Sequence, residues 1–417
     1  MHVRMRRVRL LAIVMAASLL AAACGSSSSG AAKDATTTTA AGSAPAVAPA
    51  SGTPVKIGFV DMEDGPLAQP TIGQAAEAAR QYVNESLGGI NGHPLEFDKC
   101  STTGAPDASA KCANQMVSDG VPAVYQGLDF GNDALHPILK TAGIPWTGQE
   151  PFTPTDYQDG YFFSGSQVSY ALGGGIYLRD VIKPKRVTVI SYSLPTATAA
   201  VDQYIKPAMA ASGATVSVVT ADYGAPDMSV PVGAAIATNP DVIIFFMADA
   251  DCTHIITAAS QLGYTGKIFA GNCGSFAKDA GPAAEGVYAL SDVYSADDLS
   301  KAPPRDAADV NAYVAAMGKF APGVDLNVFS QFVFAGVVNL ATVLNSIKGD
   351  ITSASVTSAL DATKDVPAFM GSTFGCSGEL TDLAPSACGA DILVLQSKDG
   401  KLAQLTDKFL FGPSLLK

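Results

Sequence analysis

Acidic side chains follow the first predicted strand of the chain, where they could bind a charged group of a small molecule. Asp61, Glu63 and Asp64 place three acids in four positions. Such a group could receive a cationic part of a ligand, or it could cap the next helix at its positive end. Both interpretations remain open, and in either case the acids must lie where a strand ends.

Two further loops carry polar and aromatic groups. One contains Asp129, Phe130 and Asn132, and the next contains Gly148 and Gln149. Phe130 could pack against an apolar part of a ligand, while carboxylate, amide and backbone groups could hydrogen bond to a polar part. We therefore expect these loops to line a ligand cleft.

The second half of the chain offers fewer candidates. Tyr192 follows a predicted strand and could cover a ligand or belong to the core. Asp249, which follows another strand, could supply negative charge or cap a helix. The three histidines beyond the leader, at positions 93, 136 and 254, are scattered and do not suggest a catalytic triad or a metal site.

The N-terminus has the pattern of an export signal. Four arginines within the first nine residues precede an apolar stretch, residues 10–23, which is short for a membrane span. Ala21, Ala22 and Ala23 lead directly into Cys24, which resembles a bacterial lipobox. The resemblance implies a signal peptide over 1–23, a lipid on Cys24, and an extracytoplasmic protein that touches the membrane only through that lipid.

Six cysteines remain besides Cys24, and they fall into three pairs that are close in sequence. An exported chain reaches an oxidising compartment, where disulfides persist. No C-x-x-C motif occurs, and the cysteines are spread along the chain, so a metal site is disfavoured. The expected disulfides join Cys100 to Cys112, Cys252 to Cys273 and Cys376 to Cys388.

The elements that must position these residues alternate between strands and helices. Residues 24–53 are rich in Ser, Thr, Gly, Ala and Pro and predict a flexible tether. Beyond it, strands are predicted at 55–61, 95–99, 123–126, 144–147, 186–191, 215–221, 242–248, 267–270 and 391–397. Helices of about 10–18 residues separate most of them, with a break at 150–166. This pattern predicts two doubly wound α/β lobes with parallel sheets.

Composition excludes several classes of function. The chain has 417 residues, of which 15% are charged, and a net charge of −12. Removal of the leader, with four arginines and no acid, would change that charge to −16. An acidic chain is a poor partner for phosphate backbones, which disfavours nucleic-acid binding. No G-x-S-x-G, phosphate-binding loop or H-E-x-x-H motif is present, which disfavours an enzyme.

One stretch of the chain resembles a known family. Residues 88–94 read Gly-Gly-Ile-Asn-Gly-His-Pro, and residues 142–145, 239–243 and 261–264 add spaced matches. Together they resemble type I periplasmic binding proteins, in the branch of branched-chain amino-acid and amide receptors. The resemblance covers roughly 54–417, and many spaced matches carry more weight than any one of them.

The resemblance implies two lobes joined by three crossovers, with a small solute in the cleft and an ABC permease as partner. Lobe one would span 54–166 and 293–348, and lobe two 167–292 and 349–417. We also expect a monomer without cofactor or metal. Family members often carry an acid for the ligand ammonium in the loop where this chain has Asn272, so Asn272 is a candidate ligand residue and amino-acid specificity is in doubt.

The sequence therefore predicts a lipid-anchored solute-binding protein of an ABC importer, which captures a small polar or amphipathic solute, such as an amino acid or an amide, and delivers it to a permease. Two alternatives stay open. One is a sensor of the same fold that reports ligand occupancy to a signalling partner, and the other is an exported α/β hydrolase, which lacks a nucleophile motif.

Overall fold

The computed structural model describes residues 47–65, 68–326, 328–378 and 380–416. The predicted signal peptide, the lipidation site Cys24 and most of the predicted tether lie outside the described residues. The last tether residues are already part of the fold. Ala50 donates its backbone N–H to the carbonyl of Asn84 at 2.8 Å, and Ser51 donates to that of Gly92 at 2.9 Å.

The first lobe is built on a five-stranded parallel sheet in the order β2-β1-β3-β4-β5. Register pairs Val55 with Leu95 and Gly58 with Val124. Its strands and intervening helices, in chain order, are β1 Val55–Asp61, α1 Pro70–Ser86, β2 Leu95–Ser101, α2 Pro106–Asp119, β3 Val124–Gln126, α3 Asn132–Thr141, β4 Trp146–Gly148, α4 Pro154–Gln158 and β5 Tyr161–Phe162.

The second lobe contains an eight-stranded mixed sheet in the order β14-β13-β10-β9-β8-β6-β7, with β15 paired to β13. The elements up to its last parallel strand are α5 Ser166–Tyr177, β6 Arg186–Tyr192, α6 Pro195–Ala200, α7 Lys206–Ala211, β7 Thr215–Ala221, α8 Ser229–Ala237, β8 Val242–Phe245, α9 Asp249–Gln261, β9 Lys267–Phe269, α10 Phe276–Asp279 and β10 Tyr288–Ser291. Residues 178–182 and 201–205 are π-helical turns that continue α5 and α6.

The remaining elements return to the first lobe and then complete the second. They are α11 Pro304–Phe320, α12 Val328–Ser346, α13 Ser353–Asp361, β11 Val366–Pro367, β12 Thr373–Phe374, β13 Asp391–Lys398, β14 Lys401–Gln404 and β15 Leu410–Phe411. Helices α11 and α12 pack on α1, whereas β13 pairs antiparallel with β10. Helix α13 packs on α12, so the chain rejoins the larger sheet only at β13.

Successive side chains of a strand point to opposite faces of the sheet and pack into two different hydrophobic layers. In β1, Phe59 packs with the α1 side of the first sheet, while Val60 packs against Met116 of α2 and Leu139 of α3. Both faces of the sheet are therefore covered, as expected for parallel strands. Helix α12 is apolar and long enough to cross a membrane by composition, but 78% of its apolar window is buried in the protein.

The turn that carries the family resemblance requires glycine. Gly89 has a φ of +73°, and a Cβ there would lie 2.1 Å from the carbonyl oxygen of His93. His93 in turn contacts the carbonyl of Thr53 through Nδ1 at 2.9 Å, which fastens the turn to the start of the folded chain. This turn is therefore structural and lies away from any cleft.

The structure differs from the predicted elements at several strand ends, and it contains six strands that the sequence did not predict: β5, β10, β11, β12, β14 and β15. Strand β8 ends at Phe245, whereas the prediction extended it to Ala248. The predicted break at 150–166 contains α4 and β5, because Thr153 caps α4 in a reciprocal hydrogen-bonded box and Pro154 suits the first helical position.

Candidate functional site

The carboxyl ends of seven parallel strands surround one cavity of about 310 Å³ between the two sheets. The loops after β1, β3 and β4 contribute from the first lobe, and those after β6, β7, β8 and β9 contribute from the second. Ligands of open α/β sheets bind beyond the carboxyl ends of the strands. The position of the cavity therefore makes it the candidate binding site.

Aromatic rings form most of the cavity wall. Phe130 and Phe152, from two loops of the first lobe, meet edge to face with their centroids 6.4 Å apart. Tyr192 and Tyr223 face them from the second lobe, with 4.9 Å between their ring centroids. Phe246 and Phe329 complete the set. Rings on opposite sides of a cleft could enclose an apolar solute.

Glu150 is the single carboxylic acid that lines this cavity among the described residues. It is 1% exposed, and its Oε1 accepts a hydrogen bond from the Tyr170 hydroxyl at 2.5 Å. Its Oε2 accepts from the hydroxyl of Ser166 at 3.3 Å. Burial, with a further contribution from the negative charge of Asp292, raises the pKa of Glu150 to about 8.

Three residues predicted from the sequence line the cavity: Phe130, Tyr192 and Asn272. The hydroxyl of Tyr192 donates to Oδ2 of Asp251 at 2.6 Å and accepts from the backbone N–H of Ala248 at 2.8 Å. These two bonds fix the ring at the end of β6. Its polar atom is satisfied by the protein, so its ring is the part available to a ligand.

Asp61, Asp129 and Asn132 lie behind the cavity wall and do not line it. Asp61 accepts from the backbone N–H of Leu128 at 3.0 Å, and burial raises its pKa to about 7. Asp129 accepts from the hydroxyl of Thr102 at 2.8 Å. Asn132 donates to Oδ2 of Asp156 at 2.9 Å, and also to the backbone of Asp129 and the side chain of Gln126. These groups hold the loops after β1 and β3 together.

Gly148 and Gln149 lie toward the crossover after β10. Gln149 donates from Nε2 to Oδ2 of Asp292 at 2.8 Å. Gln149 and Asp292 also line a separate cavity of about 20 Å³. Gly148 packs under the ring of Phe162, where a Cβ would lie 3.0 Å from the nearest ring carbon. The pair therefore joins the first lobe to the crossover.

Glu63 and Asp249 also lie outside the cavity wall. Glu63 is exposed and lines a groove on the first lobe with Lys99 and Phe320. Asp249 accepts from the backbone N–H of Gly274 at 2.9 Å and from the hydroxyl of Ser275 at 2.6 Å. Its carboxylate thereby connects the start of α9 to the loop after β9.

The sequence reasoning missed Phe152, Tyr223, Phe246 and Phe329 as cavity residues. Tyr223 follows β7, and its position just beyond a strand could have identified it. Phe246 falls within the predicted strand 242–248, whereas in the structure that strand, β8, ends at Phe245. Phe329 belongs to α12, far from any strand end, so no local signal could have indicated it.

The three cysteine pairs expected from the sequence are the ones that the structure joins: Cys100–Cys112, Cys252–Cys273 and Cys376–Cys388. The second pair connects α9 to the loop that contains Asn272, next to the cavity. Among the described residues, no group of three His, Cys, Asp or Glu side chains is arranged to hold a metal ion.

A sequence model of the family described as "periplasmic binding protein" matches residues 54–386. Among curated proteins, no sequence matches the chain. Of the solved structures, a leucine-binding protein LivK from Thermotoga maritima MSB8 superposes with a TM-score of 0.70 at 17% identity, covering 84% of this chain and 98% of that one.

Two other solved structures are similar to the same degree. An ABC transporter substrate-binding protein from Sphaerobacter thermophilus has a TM-score of 0.71 at 17% identity, over 86% of this chain and 98% of that one. The branched-chain amino acid transporter substrate-binding protein LivJ from Streptococcus pneumoniae, in complex with isoleucine, has a TM-score of 0.67 at 19% identity, over 85% of this chain and 99% of that one. At identities this low, the superpositions show a common fold and no more.

Proposed function

Because the chain belongs to the periplasmic binding protein family and has the type I fold, we propose that it is the solute-binding protein of an ABC importer. It captures a small amphipathic solute between its lobes and delivers it to a permease. It acts by binding, without chemistry of its own. Its place is outside the cytoplasm, held at the cell membrane by a lipid on Cys24.

The observation that supports this proposal most is the 310 Å³ cavity, whose wall comes from the strand ends of both lobes. A solute that contacts both walls stabilises the closed arrangement of the lobes relative to an open one. Hinge closure of this kind changes the surface that a permease would meet. Ligand occupancy is thus translated into a shape that a partner recognises.

The residues around Asp292 fit a hinge. Gln149 of the first lobe bonds to Asp292, which begins the crossover after β10. Tyr170 of α5 in the second lobe bonds to Glu150 in the first, close to the same crossover. These polar contacts lie at the end of the cleft where the chain passes between lobes, so they can persist while the cleft opens.

A thermal unfolding screen tests the proposal. The purified protein is heated with a panel of amino acids, amides, amines, short carboxylates and aromatic solutes. A solute that binds the folded state with a Kd a hundredfold below its concentration adds about 2.7 kcal/mol to the free energy of unfolding. At least one class should raise the midpoint, and Tyr192→Ala should reduce that shift. A flat response across the whole panel would contradict the proposal.

A further inference from the structure

Several backbone N–H groups in the loops around the cleft already have partners within the protein. Five of them donate to side-chain oxygens at 2.8–3.1 Å: Leu128 to Asp61, Phe152 to Asp156, Gly224 to Asp251, Ala248 to Tyr192 and Gly274 to Asp249. Four of the five acceptors are carboxyl groups. Free backbone N–H groups in such loops are the donors that would hold a ligand carboxylate. Here the protein's own acids occupy four such donors.

The side chains that line the cavity offer no cationic replacement for those donors, since its polar groups besides Glu150 are neutral amides and hydroxyls, such as those of Gln167, Ser191 and Asn272. None of the described residues that line it is Lys, Arg or His. Glu150 is its one acid, and Asp61 and Asp251 lie directly behind the wall. A carboxylate brought into this cleft would lose its hydration without gaining a cationic partner. The cleft therefore disfavours anionic and zwitterionic acids.

Glu150 is the side chain of the cavity that could bind a positively charged group of a ligand. Its two oxygens each accept one hydrogen bond from the second lobe, from Tyr170 and Ser166. A carboxylate can accept about four hydrogen bonds in total, so acceptor capacity remains for a ligand. The six aromatic rings around the cavity add a second attraction, because a cation is attracted to the face of an aromatic ring.

The size and wall of the cavity limit the rest of the ligand. A volume of about 310 Å³ lies at the lower end of the range for small-molecule sites and suits a solute with a single ring or a short branched chain. Phe130 and Phe152 on one side and Tyr192 and Tyr223 on the other present ring surfaces to it. An apolar group therefore fits between the lobes.

We propose that the cleft binds a small apolar amine that has no carboxylate group, with its ammonium at Glu150 and its apolar part between the aromatic walls. This inference rests on the proposed solute-binding function and specifies its substrate class. It separates this chain from a receptor for α-amino acids, whose carboxylate would meet no cationic side chain in the cavity and would find these five backbone donors already occupied.

Binding of such an amine is coupled to proton release. The titratable groups that face Glu150 are Asp292 of the crossover, Tyr125 of β3, Tyr157 of α4 and Tyr170 of α5. Burial and the negative charge of Asp292 raise the pKa of Glu150 to about 8 and keep it largely protonated at neutral pH, while the hydrogen bonds from Tyr170 and Ser166 oppose this shift. An ammonium ligand stabilises the ionised carboxylate, so complex formation releases a proton and affinity increases as pH rises from about 6 to 8.

Isothermal titration calorimetry with matched probes tests the inference. The probes are 2-phenylethylamine, 2-phenylethanol, 3-phenylpropionate and L-leucine, titrated into the purified protein. We expect 2-phenylethylamine to bind about tenfold or more tightly than the alcohol, and the two carboxylates not to bind measurably. In buffers of different ionisation enthalpy, the amine should show net proton release near neutral pH.

Glu150→Gln and Glu96→Gln form the matched pair of variants, since Glu96 is an exposed glutamate of β2 outside the cavity. Glu150→Gln should abolish the preference for amine over alcohol and the proton release, while Glu96→Gln should retain both. Tighter binding of 3-phenylpropionate or L-leucine, an unchanged amine preference in Glu150→Gln, or no binding of 2-phenylethylamine to the unmodified protein would each overturn the inference. The wider solute screen would then still decide the proposed function.

Discussion

Asp156 illustrates, at the scale of a single residue, why acidic side chains in these loops are structural. It is fully buried, and its Oδ2 accepts hydrogen bonds from Asn132, from Phe152 N and from Thr153 N at 2.9–3.1 Å. Its Oδ1 accepts from the indole N–H of Trp146 at 3.0 Å. One carboxyl group thus connects the first residue of β4 to α3 and to the start of α4.

We predict that Asp156→Asn lowers the free energy of unfolding by about 2–3 kcal/mol, because an amide nitrogen then meets at least one buried donor. Urea denaturation at pH 8 measures the change. Asp119→Asn, an exposed aspartate at the end of α2, is the control and should stay within about 0.5 kcal/mol of the parent. Equal effects of the two substitutions would contradict this role of Asp156.

The raised pKa of Glu150 leads to a second prediction, which concerns the pH dependence of stability. Its pKa is about 8 in the folded protein against an ordinary value of 4.5, so between these pH values the folded state binds more protons than the unfolded state. Stability from this group is therefore lost as pH rises from about 4.5 to 8. Glutamine resembles the protonated acid and does not titrate.

Glu150→Gln should therefore become more stable than the parent as pH rises, by an amount on the order of 3 kcal/mol at pH 9. Thermal unfolding midpoints of both proteins from pH 5 to pH 9, without ligand, measure the difference. Other buried acids titrate in both proteins, so their contributions cancel in the difference between the two midpoints. A midpoint difference that does not change with pH would show that Glu150 is not protonated in the free protein at neutral pH.

At the scale of elements, α5 depends on three consecutive glycines that bring it close to the second sheet. A Cβ at Gly173 would lie 2.1 Å from Cγ1 of Ile392 on β13, and one at Gly175 would lie 2.5 Å from a methyl group of Leu415. The triplet is therefore a packing device, which allows the helix backbone to approach β13.

We predict that Gly173→Ala destabilises the protein by about 1–3 kcal/mol through overpacking, although alanine is the better helix former. Gly318→Ala in α11 is the control, because a Cβ there meets no atom within 4 Å and the position is exposed. That control should gain up to about 1 kcal/mol. Chemical denaturation distinguishes them, and a gain in stability for Gly173→Ala would contradict the close approach.

Elements were easier to predict from the sequence than the contacts of their ends. The apolar periodicity of 55–61 and 215–221 gave the observed bounds, since those segments carry strong local patterns. Three of ten predicted ligand residues line the cavity, since strand ends indicate a region but not the direction of a side chain. Asp61 and Asp249 are turned toward backbone donors of neighbouring loops, which only the folded arrangement brings near.

At the scale of the whole molecule, membrane attachment should depend on one atom that lies outside the described residues, the sulfur of Cys24. We predict that Cys24→Ser shifts the protein from the membrane fraction to the soluble extracytoplasmic fraction, because the lipid is then absent. Cell fractionation with immunoblotting measures the shift. Solute binding by the purified variant should equal that of the parent, since the cavity is formed by residues 69–329. Retention on the membrane would contradict lipid anchoring.

Trp146 gives the molecule a built-in optical reporter of one lobe. It is the sole tryptophan of the chain, it is 1% exposed, and it lies on β4 of the first sheet. Its fluorescence emission will be blue-shifted in the native protein and will move to longer wavelength when the first lobe opens to water. Far-ultraviolet circular dichroism observes both lobes. Superimposed transitions from the two signals would identify a single cooperative unit, and separated ones would reveal lobes that unfold in turn.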